Sequence, residues 1–153
     1  MVLRDDLLVL CGLSCPYCGR PTMLVDDAEI YGRSYGTKSY MCKPCRAWVG
    51  CHKGTTKALG RIANKELRQL KHQAHGSFDP IWQKGHVSRS EAYEILSIAL
   101  GLPIWQTHIG MFDETMCRRV IEVSNIILKY VKKQWPNKLS VANSFLLNVL
   151  PES

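Results

Sequence analysis

The chain has 153 residues, of which 46% are hydrophobic and 22% charged, and this size suits one core joined to a smaller metal-stapled lobe. Its 20 lysines and arginines outnumber its 13 aspartates and glutamates, and the net charge of +7 favours an anionic partner. We expect neither a signal peptide nor a membrane-spanning helix, because charged residues precede the short apolar run in residues 1–10 and no apolar run reaches about 18 residues.

The N-terminal third of the sequence indicates short β-strands. Residues 7–10 fit either a strand or a helical turn, and the sequence does not decide between them. Residues 23–25 predict a strand, which is followed by a turn at Asp26-Asp27 and a second arm at residues 29–31. Further strands are predicted at residues 38–41 and 46–50. The sequence therefore predicts a ribbon of three or four short strands.

Two C-x-x-C pairs flank this ribbon and are the strongest signal in the sequence. Each pair places two thiolates on one tight turn, and the hairpin between the pairs would bring the two turns face to face around a tetrahedral ion. Four sulfur ligands leave no open coordination position, so the sequence predicts a Zn²⁺ ion with a structural role. The predicted ligands are Cys15, Cys18, Cys42 and Cys45.

The other interpretations of these cysteines are a redox pair or two disulfides. A thioredoxin-like motif needs one C-x-x-C pair within a βαβ pattern, which this Gly- and Tyr-rich segment does not show. Cys51 follows Cys45 too closely for the usual second turn, and Cys11 and Cys117 lie in apolar surroundings that favour small buried side chains. An odd number of cysteines, seven, of which four are paired as metal knuckles, favours a reducing compartment, and we expect a cytoplasmic protein.

The rest of the sequence predicts a linker and about three helices. Residues 52–57 are polar and basic without a Walker pattern, so they indicate a linker. Asn64 is a candidate N-cap for the first helix, the Ser88-to-Glu91 capping box opens the second, and Asp113 begins the third, which Pro136 ends. Residues 145–150 indicate a short docked helix or a segment that orders on a partner.

These elements predict an α+β chain with three parts. A Cys₄ zinc ribbon of short antiparallel strands occupies residues 1–54, and a small helical lobe packed on the ribbon occupies residues 55–136. A C-terminal tail follows at residues 137–153.

Basic and aromatic residues alternate along the ribbon, which is the pattern that a nucleic-acid surface requires. Cations along one face meet phosphates, and aromatic rings stack on unpaired bases. The alternative is that the rings form the minimal core of the ribbon and the cations its solvated rim. The candidate nucleic-acid-binding residues are Arg33, Tyr35, Lys38, Arg46, Trp48, Lys53 and Lys57.

A second group of polar residues lies in the predicted helical lobe. His75 and Asp79 are one helical turn apart, and His108 precedes the third helix. The group could bind a metal or supply a base and its orienting carboxylate, as in a metal-dependent nuclease. No Ser or Cys nucleophile has a matching motif, and the commoner role of such groups is to hydrogen-bond helices to each other. We therefore expect no catalytic residues.

Several short motifs follow one another in a fixed order, among them Cys15-Pro-Tyr-Cys-Gly, Tyr31-Gly-Arg-Ser-Tyr-Gly, Val49-Gly-Cys-His-Lys-Gly-Thr and His108-Ile-Gly-Met-Phe-Asp. Together they resemble the zinc-finger-containing domain family of uncharacterised bacterial and phage proteins. The resemblance covers residues 15 to about 125 and implies a zinc ribbon without implying a particular chemistry. The second knuckle is tighter here than in a typical member of that family.

Three functions follow as hypotheses. The first is a non-enzymatic zinc-ribbon accessory protein that binds nucleic acid. The second is a bacterial or phage protein-interaction module that contacts a host or replication protein through the helical lobe or the tail. The third is a metal-dependent nuclease that uses His75, Asp79 and His108.

Overall fold

The computed structural model describes residues 4–85 and 87–134, so the predicted tail at residues 137–153 lies outside the described residues. The chain forms two compact units. Of the described residues, the first contains residues 4–69 together with Gly110–Asp113, and the second contains residues 70–85, 87–109 and 114–134. A small antiparallel sheet followed by helices confirms the predicted α+β class. The boundary expected between residues 54 and 55 stays a prediction.

The first unit is built on a three-stranded antiparallel sheet with the strand order β1-β2-β3. The strands are β1 (Met23–Asp26), β2 (Lys38–Cys42) and β3 (Ala47–Gly50), within a residue of three of the predicted strands. Residues 7–10, which fit either a strand or a helical turn in the sequence, belong to the helix α1 (Arg4–Leu10). The helix continues into a turn in which the Cys11 N–H donates to the carbonyl oxygen of Leu7.

The predicted strand at residues 29–31 is wrong. These residues belong to a short helix, α2 (Ala28–Tyr31), which begins where the side chain of Asp26 accepts a hydrogen bond from the Ala28 N–H at 2.9 Å. The helix ends at Gly32, whose φ of 77° lies in the left-handed region that favours glycine. Asp26 and Asp27 therefore open a helical turn rather than a β-hairpin, because aspartate side chains readily bond nearby backbone amides.

The register of the sheet makes the cysteines part of the core of this unit. Cys42 pairs with Ala47 across the last two strands. Both are buried, together with Val49, and they pack against Cys15 and Ile62. A sheet of this size buries little apolar surface, so the stability of the unit depends on what holds its sulfur atoms together.

Four helices and two 3₁₀ turns follow. The predicted first, second and third helices correspond to the three long helices, and the short α4 was not predicted. Proline at the first position of α4 leaves no unpaired N–H there, which allows a helix of one turn. The helices are α3 (Lys65–Phe78), α4 (Pro80–Gln83), α5 (Arg89–Leu100) and α6 (Glu114–Gln134), and the 3₁₀ turns are Ile104–Gln106 and Ile109–Met111.

Local capping signals place the helix starts as predicted. The Asn64 side chain accepts the Leu67 N–H at 3.0 Å at the start of α3. At the start of α5, Ser88 and Glu91 form a complete capping box, and Gly101 ends the helix in the left-handed conformation. Among the residues described, no helix combines the length and the apolar character needed to cross a membrane.

Candidate metal centre and the surrounding surface

The four cysteines of the two C-x-x-C pairs converge in the first unit. Their Sγ atoms all lie within 4.8 Å of one another, and the Sγ atoms of Cys18 and Cys42 are 3.6 Å apart. A tetrahedral Zn²⁺ ion with Zn–S bonds of about 2.3 Å requires sulfur atoms about 3.8 Å apart. The cluster formed by Cys15, Cys18, Cys42 and Cys45 therefore fits a structural zinc ion.

The backbone of each knuckle turns in the left-handed region directly after its second cysteine. Gly19 has a φ of 74° and its N–H donates to the Cys15 carbonyl oxygen at 2.9 Å. Arg46 has a φ of 48°, and among the residues described it is the only one other than glycine with a positive φ. The second knuckle thus repeats the first with an arginine where glycine would fit without strain.

The thiols of the cluster strongly influence one another. A hydrogen bond from the Arg20 backbone lowers the pKa of Cys18 to about 7. The hydrogen bond to Cys18, with burial as a further cause, raises the pKa of Cys45 to about 12, and burial raises the pKa of Cys42. Four thiolates so close together repel one another, so full ionisation needs a bound cation, which deprotonates the thiols that it binds.

The other three cysteines lie outside this cluster. Cys51 and Cys117 are buried, and burial raises the pKa of the Cys51 thiol. Cys11 is exposed, so the expectation of a buried side chain there is wrong. The apolar residues before it form α1, and Cys11 follows the end of that helix.

We predict that Arg46→Gly stabilises the first unit by about 0.5–1 kcal/mol, because glycine adopts the left-handed conformation without the clash of a Cβ atom. Thermal unfolding of the zinc-loaded chain measures the gain. Arg46→Ala is the matched control, since it removes the same charge and keeps the strained backbone. An equal gain from both variants would mean that the charge of Arg46, and not its backbone, causes the effect.

Five of the candidate nucleic-acid-binding residues lie along one side of the first unit. Lys38 and Lys57 line an open groove, and residues 33–36 lead into it from one end. We call this the lysine groove, and Lys53 is exposed on the tight turn that forms one of its walls. The lining residues are Gly36, Lys38, Gly54, Thr55, Thr56 and Lys57.

The wall formed by residues 52–57 is held in place by hydrogen bonds. The His52 N–H donates to the Lys57 carbonyl oxygen at 2.9 Å, and the Thr55 N–H donates to the His52 carbonyl oxygen at 3.0 Å. The hydroxyl of Tyr40 donates to the Thr56 carbonyl oxygen at 2.7 Å and ties the turn to β2. The segment predicted as a linker is therefore an ordered part of the first unit.

Arg46 and Trp48 lie beside the second knuckle, where Trp48 on β3 pairs with Met41 of β2, away from Lys38. The guanidinium carbon of Arg68 lies 3.5 Å from the centroid of the Trp48 ring. The guanidinium also donates to the carbonyl oxygens of Ala63 at 2.6 Å and Arg46 at 3.4 Å. Arg68 thus covers one face of the tryptophan, so a base cannot stack on that face.

The loop between α2 and β2 is organised by a buried carboxylate. Asp27 is 1% exposed and accepts hydrogen bonds from the Thr37 hydroxyl at 2.7 Å and from the Tyr35 N–H at 3.0 Å. These bonds, with that from Thr37 the strongest cause, lower the pKa of Asp27 to about 2. The pKa of an aspartate in an unfolded chain is about 3.9, so the ionised Asp27 carboxylate stabilises the loop fully above about pH 3.9. This stabilisation is lost as the pH falls towards 2. The sequence indicated Asp27 only as a turn residue.

The predicted polar group of the second unit does not assemble as a metal site. His75 Nδ1 lies 3.7 Å from Asp79 Oδ1, as one helical turn requires. His108 instead lines a separate hollow with Arg89, Tyr93 and neighbouring residues. Within residues 4–85 and 87–134, the four clustered cysteines are the only group of three or more His, Cys, Asp or Glu side chains that could hold a metal. His75, Asp79 and His108 are therefore not brought together as the ligands of one metal ion.

Comparison with known proteins agrees with the metal centre. A family described as a zinc-finger-containing domain matches residues 12–126, which is more than half of the chain. The resemblance expected from the sequence motifs is thereby confirmed. No curated protein and no solved structure shows a significant match to the chain.

Proposed function

Because the chain belongs to the family of zinc-finger-containing domains, we propose that it is a non-enzymatic accessory protein in which a structural zinc ion holds a nucleic-acid-binding surface. The observation that carries this proposal is the lysine groove, which opens next to the exposed Arg33 and Tyr35. Cations beside aromatic rings are the combination that binds phosphates and bases together. A reducing cytoplasm, bacterial or that of a phage host, belongs to the same proposal, since only reduced cysteines bind the ion.

The charges of the groove support an anionic ligand. Lys57 is exposed, and no carboxylate among the residues described lies within 4.0 Å of its ammonium group. The ammonium group of Lys38 is 3.9 Å from Asp26 at the surface, where such a pair is weak and open to competition from phosphate. The groove therefore offers two cations whose charge is little compensated within the protein.

Glycines in the walls allow a sugar-phosphate backbone to come close. Gly36 and Gly54 have φ values of 80° and 74°, and a Cβ atom added at either would meet nothing within 4 Å. The Thr56 hydroxyl adds a polar group to the lining, whereas the Thr55 hydroxyl already donates to the His52 carbonyl oxygen at 2.9 Å. Such walls can make close contacts to phosphate oxygens with backbone and side-chain donors.

We predict that Lys57→Ala weakens binding to all nucleic-acid sequences and lowers the slope of log K against log salt by about one. Electrophoretic shift and fluorescence anisotropy at several salt concentrations measure both changes. Lys129→Ala is the matched control, because Lys129 is an exposed lysine on α6 and its replacement changes the net charge equally. An equal effect of the two variants, or no binding at low salt, would contradict the proposal.

A second candidate function is protein interaction through the second unit. Trp105 is 69% exposed and Ile104 is 49% exposed on one 3₁₀ turn, next to the hollow that Arg89 and His108 line. Exposed tryptophans are frequent anchors of protein interfaces. If this candidate holds, Trp105→Ala should weaken binding of a protein partner and leave nucleic-acid affinity unchanged.

A further inference from the structure

Two tyrosines stand exposed at the entrance to the lysine groove. Tyr31 is 59% exposed and Tyr35 is 57% exposed, and their rings meet edge to face with centroids 6.0 Å apart. The side chain of Arg33 lies against the second ring, with its Nε–H donating to the Tyr35 hydroxyl at 2.8 Å and its guanidinium carbon 4.7 Å from the ring centroid. We call these three residues the tyrosine surface.

The tyrosine surface is held in position by the protein itself. The Asp27 carboxylate accepts a hydrogen bond from the backbone N–H of Tyr35. It also accepts hydrogen bonds from the hydroxyl and the backbone N–H of Thr37. Gly32 and Gly36 provide the left-handed turns at the two ends of the loop. A surface that is ordered before binding loses little conformational entropy when a ligand arrives, so each contact contributes more of its energy to affinity.

The position of the rings relative to the groove determines which ligand fits. Tyr35 is joined directly to Gly36, the first residue of the groove, and Lys38 follows two residues later at the start of β2. A nucleotide whose base lies on the rings therefore has its phosphates within reach of the lysines. Arg33 adds a planar cation that can stack on a base or contact a phosphate.

We propose that the tyrosine surface stacks on unpaired bases, so that the preferred ligand of the first unit is single-stranded nucleic acid. In a duplex the base faces are covered by neighbouring base pairs, and exposing one costs a few kcal/mol. The lysine groove by itself would bind both forms through their phosphates. The inference rests on the proposed function, and it assigns strand selectivity to residues other than the lysines.

The experiment compares the zinc-loaded full chain and its variants by fluorescence anisotropy. The probes are a mixed-sequence DNA of about 12 nucleotides, its RNA equivalent and the corresponding DNA duplex, all at one salt concentration. We expect the wild-type chain to bind the single strands more tightly than the duplex. The two single strands show whether the 2′-hydroxyl contributes to recognition.

The aromatic variants test the tyrosine surface directly. Tyr31→Ala and Tyr35→Ala should each lower single-strand affinity about fivefold or more and leave duplex affinity unchanged. Tyr35→Phe is the matched control, because it keeps the ring and removes only the hydroxyl that Arg33 contacts, and it should retain most of the affinity. Trp105→Ala removes an exposed ring of the second unit and should have no effect. Zinc content and a thermal melt of each variant exclude loss of folding as the cause.

The outcomes separate this inference from the proposed function. If both tyrosine-to-alanine variants bind single strands as the wild type does while Lys57→Ala weakens binding, the tyrosine surface does not stack on bases and the lysine groove alone binds the ligand. Equal affinity of the wild-type chain for duplex and single strand would also overturn the inference. If no probe binds at low salt, both the inference and the proposed function are overturned.

Discussion

Replacing Cys42 by serine is expected to abolish zinc binding and unfold the first unit. The Cys42 sulfur is buried in the core of this unit and lies 3.6 Å from that of Cys18, so its loss removes one ligand and leaves the others without a closed shell. The free energy of zinc binding in such sites is of order 10 kcal/mol and is coupled to folding. The zinc content measured by elemental analysis should fall from one ion per chain to none. The variant should also lose the circular-dichroism signal of the sheet and its thermal unfolding transition.

Two controls show whether the metal causes this loss. Cys11→Ser makes the same chemical change at an exposed cysteine outside the cluster, and it should keep one zinc ion and the wild-type melt. A chelator added to the wild-type chain should reproduce the effect of Cys42→Ser, and added Zn²⁺ should reverse it. A fully folded chain without metal would refute the structural role of the ion.

Replacing Gly60 by alanine is expected to destabilise the first unit by about 3 kcal/mol, near the upper end for an overpacked site. A Cβ atom at this position would lie 2.3 Å from the carbonyl oxygen of Gly110, far inside van der Waals contact. The same oxygen accepts a hydrogen bond from the Arg61 N–H at 2.9 Å, so the backbone can move apart only by lengthening that bond. Denaturant unfolding of the zinc-loaded protein measures the change.

Gly110 provides the matched control for this contact. A Cβ atom on Gly110 would meet its nearest neighbour from another segment, the carbonyl oxygen of Leu59, at an ordinary 3.6 Å. Gly110→Ala should therefore lower the free energy of unfolding only slightly, although it adds the same methyl group to the same contact between Gly60 and Gly110. Equal destabilisation by the two variants would show that alanine affects both sites through backbone flexibility and not through a steric clash.

Features that depend on neighbouring residues were predictable. The two C-x-x-C spacings identify the ligands of the cluster, because each pair forms one turn whose geometry depends on four consecutive residues. The capping box of Ser88 and Glu91 likewise involves side chains and amides within one helical turn. The helix at residues 28–31 was not predictable in this way, since a short apolar run fits either a strand or a helix until its hydrogen-bond partners are known.

The sequence by itself determined the zinc ligands, the basic charge and the starts of the long helices, because these depend on composition and on contacts within a few residues. Only the tertiary structure decided which distant residues meet. It brought the Thr37 hydroxyl to the buried Asp27 carboxylate, placed Arg68 on Trp48, and brought Gly60 against Gly110. Such contacts depend on strand register and loop packing, where the burial and hydrogen bonding of many residues together select one arrangement among several that the local pattern allows.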